Sequence, residues 1–178
     1  MHTPAVEIFE QSARPTQFME AIDRLKEEHD DLRLRLKEIC REGEGVSKLR
    51  STSEAAEKLK ELRGSISVLM ESLDRHASWE EQELFPMLTR YFNKVQGPSI
   101  MPSIWVMEKD HELAHLFVQS FYEALDGPAQ KGEKIHVKTA ASHLIQACLI
   151  LTEHLNLEEE VVYPMAEQIL TDIDSLFS

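Results

Sequence analysis

Apolar residues along the chain recur at alternating steps of three and four, the spacing that keeps side chains on one face of an α-helix. Four such ladders can be traced. The first runs Phe18, Ile22, Leu25, His29, Leu32, Leu36 and Ile39 and is expected to end at the Gly43-Glu44-Gly45 stretch. The second runs Leu59, Leu62, Ile66, Leu69, Leu73, His76 and Glu80 and points on toward Leu84 and Met87. The third, from Ile104 through Met107, His111, Ala114, Val118 and Phe121 to Leu125, is expected to stop at Gly127-Pro128. The fourth runs Val137, Ala140, Leu144, Ala147, Leu151, His154, Glu158, Val161 and Met165. Four ladders joined by short segments containing Gly, Pro and Ser predict an all-α protein, an antiparallel up-down-up-down four-helix bundle whose core these positions line.

The interruptions carry the chemistry. Each ladder is apolar except at a histidine, and the second and fourth also carry a glutamate one turn further on. The stretches HASWEEQELFPM, from His76, and HLNLEEEVVYPM, from His154, write the same order twice. Residues four apart lie about 6 Å apart along a helix and about 40° apart around it, so His76 shares a face with Glu80, and His154 with Glu158. Glu81 and Glu159, five positions after the histidines, are expected on the flank. Pro86 and Pro164, which lack a backbone donor, should bend or restart their helices. In the third helix HELAH places His111 on the seam and His115 beside it. An ionised carboxylate in an apolar core costs several kcal/mol unless it is paired or bound to metal. No Lys or Arg occupies a nearby seam position. Five imidazoles and two carboxylates exceed the four ligands of tetrahedral zinc and suit two five- or six-coordinate irons that share bridging carboxylates.

Composition narrows the setting. A chain of 178 residues is long enough to bury the core of one domain. Its formal net charge of -13 repels phosphate backbones and acidic lipid, so neither nucleic acid nor membrane is an expected partner. No apolar run has the roughly 20 residues of a spanning helix, and the N-terminus does not read as a secretory signal, so a cytoplasmic protein is expected. Cys40 and Cys148 belong to no CxxC motif and read as reduced core residues rather than a bridge or a zinc site.

Other polar residues are weaker candidates. His136 and His143 lie beside the fourth seam and well before His154. Glu108 with His111 and Glu133 with His136 spell the ExxH of ferritin-like diiron proteins, but antiparallel counting through the intervening turn sets the two pairs at different levels. Tyr122, Tyr163, Trp79 and Trp105 are explained by packing or surface positions. A length mismatch also arises: His29 lies closer to the glycine stretch than His76 does to Ser51. Level ligands would make the second helix overhang the first by about 16 Å.

Taken together, His29 in EEHDDL, His76 and Glu80 in HASWE, His111 and His115 in HELAH, and His154 and Glu158 in HLNLE make the chain resemble the hemerythrin-like (HHE cation-binding) family. The resemblance covers about residues 16–170, which sets an N-terminal arm at 1–15 and the bundle at 16–172. It implies a diiron centre with one iron on His111, His115 and His154 and the other on His29 and His76. Glu80, Glu158 and an oxo or hydroxo group would bridge them. The two-histidine iron would keep a position open for O2 or another small ligand, with Leu151 and Leu155 as candidate lining. Oxygen-carrying relatives place an Asp five residues after the fourth-helix histidine, whereas here Glu stands at four and at five. Glu158 continues the seam, and Glu159 is the alternative bridge. Arg33 occupies the position that His115 holds in the second half.

The resemblance implies a protein that binds or senses O2, NO, peroxide or iron status. The alternatives are a diiron enzyme in NO or peroxide detoxification or iron-centre repair, and a helical interaction module with incidental metal. A homo-oligomer or a separate protein partner would have to carry any signal onward.

Overall fold

The structure is a computed structural model that describes residues 15–94, 99–131 and 136–177. The expected N-terminal arm lies outside the described residues except for Pro15, which opens the first helix. The helices are α1 (Pro15–Val46), α2 (Thr52–Trp79), α3 (Phe85–Lys94), α4 (Met101–Lys131) and α5 (Val137–Phe177). A π-helical turn, Glu80–Leu84, joins α2 to α3, so these two read as one interrupted rod and the architecture is the expected four-helix bundle. Among the described residues there is no strand, and no helix is long and apolar enough to cross a membrane.

The first and third ladders and the second as far as Glu80 are buried, apart from His111, which is half-buried. Their apolar members form two clusters. One gathers Leu32, Leu73, Ala114, Leu151 and Leu155 with the residues toward Val46, and the other gathers Leu25, Trp79, Leu84, Met107 and Val162 with those toward Phe18 and Ile173. Between them lies a buried polar layer of His29, His76, Glu80, His154 and Glu158. The hydroxyl of Tyr91 donates to Asp172 and ties α3 to α5 in the second cluster.

Helix ends depart from the sequence expectation. α1 continues through Gly43 and Gly45 to Val46, and α4 continues through Gly127 and Pro128 to Lys131. A glycine inside a helix costs only about 1 kcal/mol relative to alanine, which tertiary packing overrides. At Gly43 the packing is visible, since a Cβ there would lie 3.4 Å from Leu144 Cδ2. The longer α1 also reduces the expected overhang of α2.

The seams shift at their far ends. Leu84 is buried as expected, but the next core position is Leu88, not Met87. The Phe85 N–H reaches back five residues to the Glu80 carbonyl. This wider turn lets positions 76, 80, 84 and 88 keep one face, and it sits where Pro86 offers no donor. In α5 the buried residues after Glu158 are Val162, Ala166, Ile169 and Ile173, with Val161 and Met165 only partly buried. There the buried stripe advances in steps of four, from Glu158 to Val162 and Ala166, and so winds round the helix. The two prolines therefore act differently, because α5 is continuous through Pro164.

Ser51 caps α2 by accepting a hydrogen bond from the Glu54 N–H at 3.3 Å. Ser51→Ala is expected to lower stability by about 1 kcal/mol with no change in secondary structure, as read by urea denaturation.

Candidate metal centre

The polar layer is assembled from three rods. α1 supplies His29, the end of α2 and the π turn supply His76 and Glu80, and α5 supplies His154 and Glu158. α4 adds His111 at the edge. His29 Nε2 and His76 Nε2 stand 3.1 Å apart, and His111 Nε2 and His154 Nε2 stand 2.9 Å apart. Glu158 Oε2 reaches toward both pairs, at 3.2 Å from His29 Nε2, 3.9 Å from His76 Nε2 and 3.8 Å from His154 Nε2. Glu80 Oε1 approaches His76 Nε2 at 3.1 Å. One donor atom from each of His29, His76, Glu80 and Glu158 fits within a group no wider than 4.8 Å, and all four residues are buried.

The outer ring nitrogens explain why the inner ones face each other. His76 Nδ1 lies 2.7 Å from Glu28 Oε2, and His29 Nδ1 lies 3.0 Å from Glu159 Oε1. A carboxylate that accepts from Nδ1–H leaves the Nε2 lone pair pointing inward, the arrangement that orients histidine toward a metal. With both outer nitrogens protonated in this way, two inward lone pairs confront each other at 3.1 Å. A cation or an extra proton must relieve the repulsion.

The carboxylates make the same demand. Neither Glu158 oxygen receives a hydrogen bond of acceptable geometry, nor does Glu80 Oε1 or His154 Nδ1, although all are buried. Burial and the close approach of Glu158 push the Glu80 pKa well above the usual carboxylate range. Burial opposes ionisation of Glu158 as well, but the close approach of Glu80, His29 and His76 holds its pKa well below that range. Burial alone would lower the His76 pKa, yet Glu158 and Glu80 raise it to about 11. Burial, reinforced by His111, pushes His154 down to about 3. Without a cation the layer therefore holds itself together with protons. The donor set, nitrogens and carboxylate oxygens with orphaned acceptors, fits divalent or trivalent metal.

His115 is not brought into the layer. Its side chain is 49% exposed and its Nε2 lies 2.8 Å from Asp74 Oδ1 on α2. Arg33, in the matching position of α1, also turns away: its Nε donates to Glu159 Oε1 at 2.7 Å and its guanidinium to Asn156 Oδ1 at 2.9 Å. Of the two candidates on α5, Glu158 lies inside and Glu159 lies on the flank as the outer partner of His29. Leu151 and Leu155 are buried in the apolar cluster beside the layer.

The remaining candidates are elsewhere. His136 is exposed, and His143 packs near the Phe117 ring. Glu133 lies outside the described residues. Trp105 is 60% exposed, whereas Trp79 is buried under the Arg24 guanidinium. Tyr122 lies near Arg63, and Tyr163 stands 6.0 Å from His29 between ring centroids. Sequence reasoning missed Glu28, Asp74 and Asn156. The only signal for the first was its place beside His29, rotated onto the face turned toward α2.

Comparison with curated proteins finds no match, and comparison with solved structures finds none either. The family model of the hemerythrin HHE cation-binding domain does match, over residues 20–166, and so covers all four ladders except Phe18 and the whole of the buried histidine and glutamate layer. The chain belongs to the hemerythrin HHE cation-binding domain family.

Proposed function

We propose that the polar layer holds two non-haem irons and that the protein binds or senses a small ligand, O2, NO, peroxide or iron itself, at that centre. The observation that carries this reading is Glu158, a buried carboxylate without a hydrogen-bond donor that lies between two facing histidine pairs. One pair with a shared carboxylate suits one metal, and two pairs suit two. His29 and His76 would hold one ion, His111 and His154 the other, and Glu80 and Glu158 would serve both. His115, one turn beyond His111, would join the second by turning from Asp74. When bound, the irons would supply reversible electron transfer and an exchangeable coordination position.

The chain's own residues do the rest. Glu28 and Glu159 hold the Nδ1 protons of His76 and His29 and so keep each Nε2 directed inward. Arg33, itself anchored on Asn156 Oδ1, holds Glu159 in place without offering a ligand. That leaves the α1 side with fewer histidines than the α4 side, and the vacancy is the place for ligand exchange. Leu151 and Leu155 close one side of the layer with apolar surface and exclude water from it.

The test is anaerobic purification with metal analysis, followed by an optical spectrum before and after air, azide or NO. About two irons per chain with near-ultraviolet bands that respond to these ligands is the expected result. A single tightly bound zinc with no spectral response would overturn the proposal. Arg33→Ala is expected to weaken iron binding by about 10- to 100-fold through loss of the support behind His29, measured by competition with a chelator. An unchanged affinity would remove Arg33 from the site.

A further inference from the structure

Cys40 on α1 and Cys148 on α5 are far apart in sequence, and both are free thiols. The contacts between these helices set their relative positions independently of sulfur chemistry. His29 faces Glu158 and Glu159, Arg33 faces Asn156 and Glu159, and Gly43 faces Leu144 and Ile145. Every advance along α1 is matched by an equal retreat along α5. This antiparallel register sets Cys40 opposite Cys148, three residues before Gly43 and four after Leu144. Gly43, without a side chain, leaves the space there that the Leu144 side chain fills. Consistently, Cys40 packs against the apolar cluster that contains Cys148.

We propose that Cys40 and Cys148 form an oxidisable thiol pair that closes to a disulfide between α1 and α5 on reaction with a peroxide. The roles of the two sulfurs differ. Cys40 is half-buried and open to an oxidant, whereas Cys148 is 1% exposed. The approach of the Cys148 thiol lowers the Cys40 pKa, against burial and the nearby Glu44 carboxylate. The same contact, with burial, pushes the Cys148 thiol up. Cys40 is therefore the attacking thiolate and Cys148 the resolving thiol.

In the first step the Cys40 sulfur attacks one peroxide oxygen and the O–O bond breaks. The other oxygen leaves as hydroxide and takes up the proton released from Cys40, giving water and a sulfenic acid. In the second step the Cys148 sulfur attacks the Cys40 sulfur and the S–O bond breaks. The departing hydroxide takes the Cys148 proton as a second water. Two electrons pass from the sulfurs to the peroxide, and the balance is two thiols plus hydrogen peroxide giving one disulfide and two waters. The bridge would join the helix that carries His29 to the one that carries His154 and Glu158. On α5 it stands about 9 Å along the axis from His154.

The experiment treats the full-length, metal-loaded protein with one equivalent of hydrogen peroxide, blocks remaining thiols by alkylation, and maps the peptides by mass. The expected result is a Cys40–Cys148 linked peptide, lighter by two hydrogens and restored by dithiothreitol. Cys148→Ser should stop at a Cys40 sulfenic acid that dimedone traps, and Cys40→Ser should leave Cys148 unoxidised. Both cysteines recovered as free thiols in the wild type under excess peroxide would overturn the proposal. So would linkage between two chains, or oxidation of Cys148 in the Cys40→Ser variant. The same mapping on the full-length protein stripped of metal should give the same linked peptide, so failure of the thiol pair is distinct from failure of the diiron reading.

Discussion

Exchanging Glu158 for Gln is expected to leave a folded protein that no longer retains stoichiometric metal. The carboxylate approaches histidines of both pairs, and neither of its oxygens has a hydrogen-bond donor. In the metal-free protein the same change removes the carboxylate that faces the protonated His76 and Glu80, so it should destabilise by about 1–3 kcal/mol without unfolding the chain. With free Fe(II) at about a thousandfold excess over its Kd, the wild type gains about 4 kcal/mol by mass action. The variant gains little. Anaerobic denaturation with and without Fe(II), alongside metal analysis, gives both results. Equal iron content and equal metal-induced stabilisation in the two proteins would show that Glu158 is not a ligand.

Phe121→Ala is expected to produce the largest loss of stability outside the metal layer, about 3–5 kcal/mol. Phe121 is a fully buried side chain of the cluster beside the histidines, packed among residues such as Val118, Leu125 and Leu144. Truncation removes its transfer free energy and leaves a cavity that a closely packed interior fills only in part. A domain of this size is stable by about 5–15 kcal/mol, so the variant loses a large share of the total. Trp105→Ala on the same helix changes an exposed ring and should stay within about 0.5 kcal/mol. Urea midpoints measured at constant slope would compare the two. A Phe121→Ala loss below about 1 kcal/mol would mean that the cavity collapses or that the packing differs from that described.

Much of this architecture was legible along the chain because helix periodicity is local. The ladder from Phe18 to Ile39 is buried throughout, and so are Leu59 to Glu80 and Ala140 to Glu158. The glycines misled because their intrinsic cost is small beside packing. Gly43 lies against Leu144 inside a helix where the sequence suggested an end. Past Leu84 and Glu158 the count failed for different reasons, a π turn before Pro86 in one case and a winding stripe in the other.

At the metal layer the inner residues could be read and their supports could not. His29, His76, Glu80, His154 and Glu158 betray themselves as polar residues on apolar seams. Glu28, Asp74 and Asn156 sit on flanks where polar residues are ordinary, and their partners lie on other helices. The outward turn of His115 has the same origin, since its neighbour Asp74 comes from α2.

By itself the sequence determined the helical class, the membership of the core faces and the residue types that converge on a cation, because each follows from spacing within one helix. The tertiary structure alone decided which helices meet and in what register. It set Glu158 inside and Glu159 behind His29, turned Arg33 from the site, and brought Cys40 opposite Cys148. These are relations between separate helices, and they depend on how close two backbones can come, which no periodicity within one segment encodes.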